Sequence, residues 1–180
     1  EKIKHFASKE AFNFDGLGKK IVEKFWELKL IRFPHDIFNL DYIKIQDLDG
    51  WGELSAANLK YSIESKKTIT LSRFIYSVGI RHIGLENAKL LSKHFKKSEN
   101  FFNLAKTNNF SDLLNIDGIG DTQIRSIQGF FSNKPEFSTI LGMIKLAQNY
   151  KELQITKKIL SSKVFNAIDK LDNWIEESYA

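Results

Sequence analysis

In the sequence Ile116-Asp117-Gly118-Ile119-Gly120, one glycine stands on each side of the apolar residue Ile119, and related arrangements occur at three other places in the chain. These are Phe14-Asp15-Gly16-Leu17-Gly18, Leu48-Asp49-Gly50-Trp51-Gly52 and Ile80-Arg81-His82-Ile83-Gly84. The closing glycines lie 34, 32 and 36 residues apart. Such regular spacing is typical of an internal repeat, and we number the copies one to four along the chain.

Apolar residues follow each closing glycine at fixed distances. They are Val22, Ala56, Ala88 and Ile124 at plus four, Phe25, Leu59, Leu91 and Ile127 at plus seven, and Ile63, Phe95 and Phe131 at plus eleven, where copy one has Lys29 instead. Steps of three and four residues place these side chains on one face of a helix. Each copy is therefore predicted to be a helix, a tight turn and a second, amphipathic helix.

The predicted fold is all-α, with four tandem helix-hairpin-helix motifs. The leading helices are expected at Ser8–Phe14, Asp41–Leu48, Thr70–Val78 and Asn109–Ile116, and the following helices at Lys19–Leu30, Glu53–Ser65, Leu85–Phe95 and Asp121–Phe131. Pro34 and Pro135 are expected to end helices. A closing helix at Phe137–Ala147 would complete a domain of residues 1–147, with a linker at 148–163 and a C-terminal helix at 164–180. That last helix could dock on the core or contact a partner.

The glycines predict anion binding. The first glycine of each pair supplies the positive φ of a short turn, and the second leaves the first amides of the next helix bare. Bare amides at a helix N-terminus bind anions, and a nucleic acid backbone is the polyanion that four such sites would suit. The candidate backbone contacts are Gly16, Gly18, Gly50, Gly52, Gly84, Gly118 and Gly120. The alternative is that the glycines only make turns between helices.

Asp15, Asp49 and Asp117 occupy equivalent turn positions in copies one, two and four. We expect these carboxylates to stabilise the turns by bonding their own backbone, rather than to form a metal site, because each belongs to a different copy.

Basic residues are concentrated in copies one and three. Net charge is +3 over residues 1–33, −4 over 34–59, +7 over 60–97, −1 over 98–150 and 0 over 151–180. The candidate side chains for DNA contact are Lys19, Lys20, Lys66, Lys67, Arg81, His82 and Arg125. A run of charge can equally be an ordinary solvated helix face. Here it coincides with the turn that carries Arg81 and His82.

The motifs of several protein classes are missing from the chain. It has no cysteine, no paired histidines, no phosphate-binding loop with its lysine and no Gly-x-Ser-x-Gly sequence. No apolar run is long enough to span a membrane, and nothing resembles a signal peptide. We therefore expect no catalytic or metal site, no cofactor, no small-molecule substrate and no membrane partner, and a cytoplasmic location.

Residues 1–147 closely resemble the tandem helix-hairpin-helix domain of bacterial NAD-dependent DNA ligases. The resemblance rests on Lys4-His5-Phe6, on the residues 11–18, on Ile116–Gly120 and above all on Gly79-Ile80-Arg81-His82-Ile83-Gly84. It implies a domain that clamps the minor-groove side of nicked duplex DNA through its phosphates. NAD, magnesium and zinc are implied for the parent ligase, whose other domains would be partners of this one.

The chain departs from the family pattern in two ways. The nucleophilic lysine in its Lys-x-Asp-Gly setting, the oligonucleotide-binding fold and the four-cysteine zinc module are absent, so this segment is expected to be inactive alone. The glycine-rich strands of a BRCT domain are also missing from the C-terminal region. Two alternatives stay open, namely the hairpin module of a repair nuclease or junction-binding protein, and a helical protein-interaction module.

Overall fold

A computed structural model describes residues 1–132, and in this range the chain is helical without a strand. The α-helices are α1 (Lys2–Ala7), α2 (Lys19–Glu27), α3 (Tyr42–Gln46), α4 (Glu53–Ser65), α5 (Leu71–Ser77), α6 (Leu85–Phe95), α7 (Ser98–Thr107) and α8 (Asp121–Ser132). Two 3-10 helices cover Pro34–Asn39 and Ser111–Asn115. The prediction of an all-α fold is confirmed.

All four glycine turns are closed by the same backbone hydrogen bond. In copy one, the N–H of Leu17 donates to the carbonyl oxygen of Phe14 at 3.2 Å, and the equivalent bonds in the other copies measure 2.9 to 3.0 Å. The third residue of each turn has positive φ, which a type II turn requires. That residue is Gly16 at +83°, Gly50 at +78°, His82 at +60° and Gly118 at +86°.

The apolar ladder of the repeats forms the interior in two clusters. One cluster runs from Ile3 to Ile63 and belongs to copies one and two. The other runs from Ile75 to Phe130 and belongs to copies three and four. Phe74 of α5 and Val78, the residue just after it, pack against both clusters. Because a helix pair this short cannot bury a whole apolar face, the copies bury it two by two and α5 joins the pairs.

Two predicted helices of copy one are wrong in position. Residues 8–14 form turns instead of a leading helix, because the carbonyl oxygen of Ser8 accepts the amides of both Ala11 and Asn13, and Asn13 has φ +56°. The helix of this region is α1, which buries Ile3 and Phe6. At the other end, α2 stops at Glu27 and not at Leu30, since Lys29 adopts φ +58°.

Three segments of the connectors and copy four also differ from the prediction. The prediction that Pro34 ends a helix is wrong, because α2 already ends at Glu27. Pro34 instead begins a 3-10 helix, at whose start Asp36 accepts the amides of Arg32 and Phe33. Helix α7 was not predicted, although it buries Phe101, Phe102 and Leu104. The leading helix of copy four is a 3-10 helix at Ser111–Asn115, where Asn109 accepts the amide of Ser111.

The turn aspartates do not act as the sequence predicts. Within residues 1–132, the carboxylates of Asp15, Asp49 and Asp117 accept no hydrogen bond. The turns are closed by backbone alone. Asp41, by contrast, caps α3 by accepting the amide of Lys44 at 3.2 Å, and this bond lowers the pKa of its carboxyl.

The domain boundaries proposed after residue 132 remain predictions, since the closing helix at Phe137–Ala147, the linker at 148–163 and the helix at 164–180 lie outside the described residues. Among the residues that are described, no helix has the length and apolar character needed to cross a bilayer.

Candidate nucleic-acid interface

The closing glycines have no conformational or packing reason to be glycine in three of the four copies. Gly18 and Gly84 have φ of −70° and −79°, and Gly52 is extended at −165°. A Cβ added at any of the three would meet no atom within 4 Å. An alanine would therefore fit the folded chain at these positions. The space in front of them is open to a ligand.

The helix that follows the turn begins with unoccupied amides in copies one and three. In copy one, the first helical bond runs from the Val22 N–H to the Gly18 carbonyl, so the amides of residues 18–21 have no acceptor. In copy three, the first bond runs from Ala88 to Gly84 at 2.9 Å, which leaves the amides of residues 84–87 without an acceptor. We call these two sites the open hairpins.

Copies two and four differ, because a side chain of the following helix already accepts the closing glycine's amide. In copy two, Ser55 Oγ accepts the Gly52 N–H at 2.9 Å. In copy four, Gln123 Oε1 accepts the Gly120 N–H at 3.2 Å. We call these the capped hairpins. The next amides along each helix are still unoccupied, so capping removes one donor and partly screens the site.

Basic side chains lie beside both open hairpins. Lys19 and Lys20 are exposed on the first turn of α2, and Arg81 and His82 are exposed in the turn before α6. None of these four side chains has a hydrogen-bond or ion-pair partner within the described part of the chain. Amides and cations thus face solvent together at each open hairpin.

The other predicted side chains are placed differently. Arg125 is exposed on α8 of copy four. Lys66 and Lys67 directly follow α4, at the opposite end of that helix from Gly52, and Lys67 forms an ion pair with Glu64. The structure therefore brings the lysine pair of copy one and the basic turn of copy three to open hairpins, and leaves Lys66 and Lys67 outside them.

A link between the two halves of the domain was missed by the sequence analysis. Arg73 of α5 donates from Nε to the Ala11 carbonyl at 2.7 Å and from Nη2 to the Lys9 carbonyl at 2.5 Å. His5 Nε2 lies 2.7 Å from the Tyr76 carbonyl oxygen. These bonds join the segment before the first hairpin to the helix before the third. No periodicity in the sequence marks Arg73, which stands among other basic residues.

Over residues 1–132, no group of three or more histidine, aspartate or glutamate side chains is arranged to hold an ion.

Several DNA ligases are similar to this chain. A DNA ligase of Pelagibacter ubique (strain HTCC1062) is 54% identical over 173 residues, which cover 96% of this chain and 26% of the ligase. DNA ligases of Rickettsia bellii (strain RML369-C) and Wolbachia pipientis wMel are 42% and 38% identical and cover 84% and 89% of the chain. A family model described as a helix-hairpin-helix motif matches residues 73–140. The chain is a helix-hairpin-helix domain of the DNA ligase family.

The extent of these matches bears on the site. The chain spans about a quarter of the length of the curated ligases it matches. The helix-hairpin-helix model covers copies three and four, including the open hairpin with Arg81, whereas the matches to whole ligases also extend over copies one and two.

Proposed function

We propose that this domain holds duplex or nicked DNA through its backbone phosphates, as the non-catalytic domain of an NAD-dependent ligase. The parent enzyme would seal nicks during replication and repair in the bacterial cytoplasm. Membership of the DNA ligase family and the hairpin motif support DNA binding by this chain. The preference for nicks and the use of NAD rest on the sequence resemblance.

The observation that carries the proposal is the open space in front of Gly18 and Gly84. Each has ordinary backbone angles and no neighbour at the Cβ position, so the fold does not need glycine there. A phosphate oxygen must come within about 3 Å of an amide nitrogen to accept its hydrogen bond. A side chain at the closing position would stand in its way. Glycine is therefore explained by a ligand that approaches the backbone closely.

Helix geometry and charge favour a phosphate over other ligands. Helices α2 and α6 each direct several unoccupied amides at the open hairpin, and the positive end of the helix dipole adds to them. Lys19, Lys20 and Arg81 contribute full charges beside the amides. These contacts read no base sequence, so binding should be almost independent of sequence.

The four hairpins are proposed to contribute unequally. The open hairpins of copies one and three supply the main phosphate contacts. In copy four, the amides of Asp121 and Thr122 and the exposed side chain of Arg125 remain available for a weaker contact. Gly50 and Gly52 of the acidic copy two contribute least. Lys66 and Lys67 would act only through the general positive field of residues 60–97.

NAD, magnesium and zinc are proposed for the parent ligase and not for this segment. The described residues hold no cluster suited to a metal ion, and the chain has no cysteine to ligate zinc. Joining chemistry is therefore assigned to other domains of the parent.

The test is a titration of the domain against nicked, intact and single-stranded DNA of one length at two salt concentrations. We expect duplexes to bind more tightly than single strands, the nicked duplex at least as tightly as the intact one, and all affinities to fall with salt. Equal binding of the three DNAs, or affinity that does not change with salt, would contradict the proposal.

A further inference from the structure

The two open hairpins border one cleft of the domain, which has a volume of about 490 Å³. Lys19, the residue after the closing glycine of copy one, lines this cleft. Ile83, the residue before the closing glycine of copy three, lines it as well. The open hairpins of copies one and three are therefore neighbours across a single cleft.

One DNA molecule can contact two neighbouring hairpins. In each strand of a duplex, phosphates follow one another about every 3.4 Å along the axis, so a single duplex offers acceptors to both hairpins at once. Two contacts with one ligand reinforce each other fully only when their spacing is held, because a loose arrangement must be ordered on binding and loses affinity. The affinity of the pair therefore depends on what fixes copy three relative to copy one.

The two halves of the domain are joined at α1 and α5. Within residues 1–132, each half has its own apolar cluster, and Phe74 and Val78 contact both. Helix α1 packs against α5, and polar bonds cross between the halves here. Arg73 binds the segment that leads into the first hairpin, whereas His5 binds the segment that leads into the third.

His5 fits closely against the start of the third hairpin. Its Nε2 lies 2.7 Å from the carbonyl oxygen of Tyr76, which can only accept, so Nε2 carries the proton. The two rings also pack together, with centroids 4.6 Å apart. A Cβ added at Gly79, which has φ +71°, would lie 3.4 Å from His5 Cδ2. His5 thus contacts the backbone directly before the turn that carries Arg81 and His82.

We propose that His5 is a positioning residue for DNA binding. It holds the open hairpin of copy three at a fixed spacing from that of copy one, so that both hairpins bind one DNA molecule together. The inference rests on the proposed function and deepens it, because it assigns affinity to a residue that acts through Tyr76 and Gly79 rather than by touching DNA.

The first test measures the spacing in the full chain without DNA. Because the chain has no cysteine, Glu27→Cys/Lys93→Cys places two nitroxide labels, one on α2 and one on α6, at exposed positions nine residues after the closing glycines. We expect double electron–electron resonance to give a narrow distance distribution, and a broader one after His5→Ala. His5→Gln, whose amide can still donate to the Tyr76 carbonyl, should keep it narrow. An unchanged distribution in His5→Ala would overturn the proposal.

The second test measures the affinity of the full chain for one nicked duplex. His5→Ala should weaken binding at least about threefold, through the cost of ordering the two halves, and His5→Gln should bind like the unchanged chain. In the Gly84→Asp background, where one open hairpin is blocked, His5→Ala should have no further effect. Equal losses in the two backgrounds would mean that His5 contacts DNA or only supports the fold, and would overturn the proposal.

A second histidine controls for lost stability. His35 stacks on Phe33 at 5.5 Å in the segment between copies one and two, and His35→Ala should lower the melting temperature without changing affinity. An affinity loss in His35→Ala equal to that in His5→Ala would contradict the positioning role. Should His5→Ala not fold, His5→Phe, which keeps a ring and removes the donor, replaces it in both tests.

Gly84→Asp alone separates this inference from the proposed function. If Gly84→Asp weakens binding and His5→Ala does not, the hairpins still bind DNA and only the positioning role of His5 is refuted. If Gly84→Asp leaves affinity unchanged, phosphate binding at the open hairpins is refuted, and the positioning role with it.

Discussion

Asn87 donates a hydrogen bond of 3.1 Å from its side-chain nitrogen to the backbone carbonyl oxygen of His82. His82 has φ +60° at the turn position where the other three copies have glycine. A non-glycine residue in this region costs on the order of 1 kcal/mol, and the Asn87 bond helps to hold the strained backbone. The imidazole itself is exposed. A strained residue that keeps an exposed side chain at an open hairpin suits a role in contacting DNA.

Replacing His82 by glycine should separate stability from binding. The change relieves the left-handed strain but adds disorder to the unfolded chain, so the free energy of unfolding should stay level or rise by up to about 1 kcal/mol. DNA binding should weaken because the side-chain contact is lost. Denaturant melts and a DNA titration measure the two effects. As a control, Asn87→Ala should destabilise by about 1 kcal/mol through the lost hydrogen bond. If the His82→Gly variant is less stable than the unchanged chain, the backbone at His82 is not strained.

Alanine substitutions of Arg81 and Arg73, which are eight residues apart, should have contrasting effects on DNA affinity and melting temperature. Arg81→Ala should weaken DNA binding by about 1 to 2 kcal/mol, the worth of a charge-assisted hydrogen bond, with little change in melting temperature. Arg73→Ala should chiefly lower the melting temperature, since Arg73 bonds the carbonyls of Lys9 and Ala11. If the folded Arg81→Ala variant binds DNA with unchanged affinity, Arg81 is not part of the DNA interface.

The turn aspartates should be nearly neutral for stability. Asp49→Ala and Asp117→Ala remove carboxylates that accept no hydrogen bond, and exposed substitutions of this kind change the free energy of unfolding by about 0.5 kcal/mol or less. Chemical denaturation decides the matter. A loss well above that value would show that the carboxylates support the turns after all.

The salt dependence should report how many phosphates are neutralised. If three hairpins each engage one or two, roughly three to six phosphates are involved, and log K should fall with log salt at a slope of about −3 to −5. A slope near zero would argue against phosphate binding, and a steeper one would mean that copy two also contributes.

Sequence periodicity located α4, α6 and α8 because each carries an unbroken apolar ladder after its glycine. It failed where geometry is set by individual residues. Lys29 ends α2 by adopting positive φ, and Asp36 starts a 3-10 helix by accepting two amides. Neither feature produces a periodic pattern in the sequence. Helix α7 lies between copies, so the repeat gave no indication of it.

The candidate site was predicted in part. The repeat identified four equivalent turns, three of them with Gly-x-Gly, but it could not distinguish open from capped hairpins. That difference depends on the third residue of the following helix, which is Ser55 or Gln123 in the capped copies and Ile21 or Asn87 in the open ones. Asn87 could have capped its own helix, but its side chain turns back to His82. The sequence does not determine which of these two bonds Asn87 makes.

The most direct measurement compares Gly84→Asp with Gly52→Asp. Both glycines precede a helix with ordinary φ and open space, where aspartate is a favourable cap, so both variants should melt at or slightly above the temperature of the unchanged chain. At Gly84 the carboxylate would occupy the amides meant for phosphate and repel it. Affinity for nicked DNA should fall at least about tenfold, or 1.4 kcal/mol, in Gly84→Asp and stay within a few-fold in Gly52→Asp. Unchanged affinity in a folded Gly84→Asp protein, or equal losses in both variants, would contradict the account.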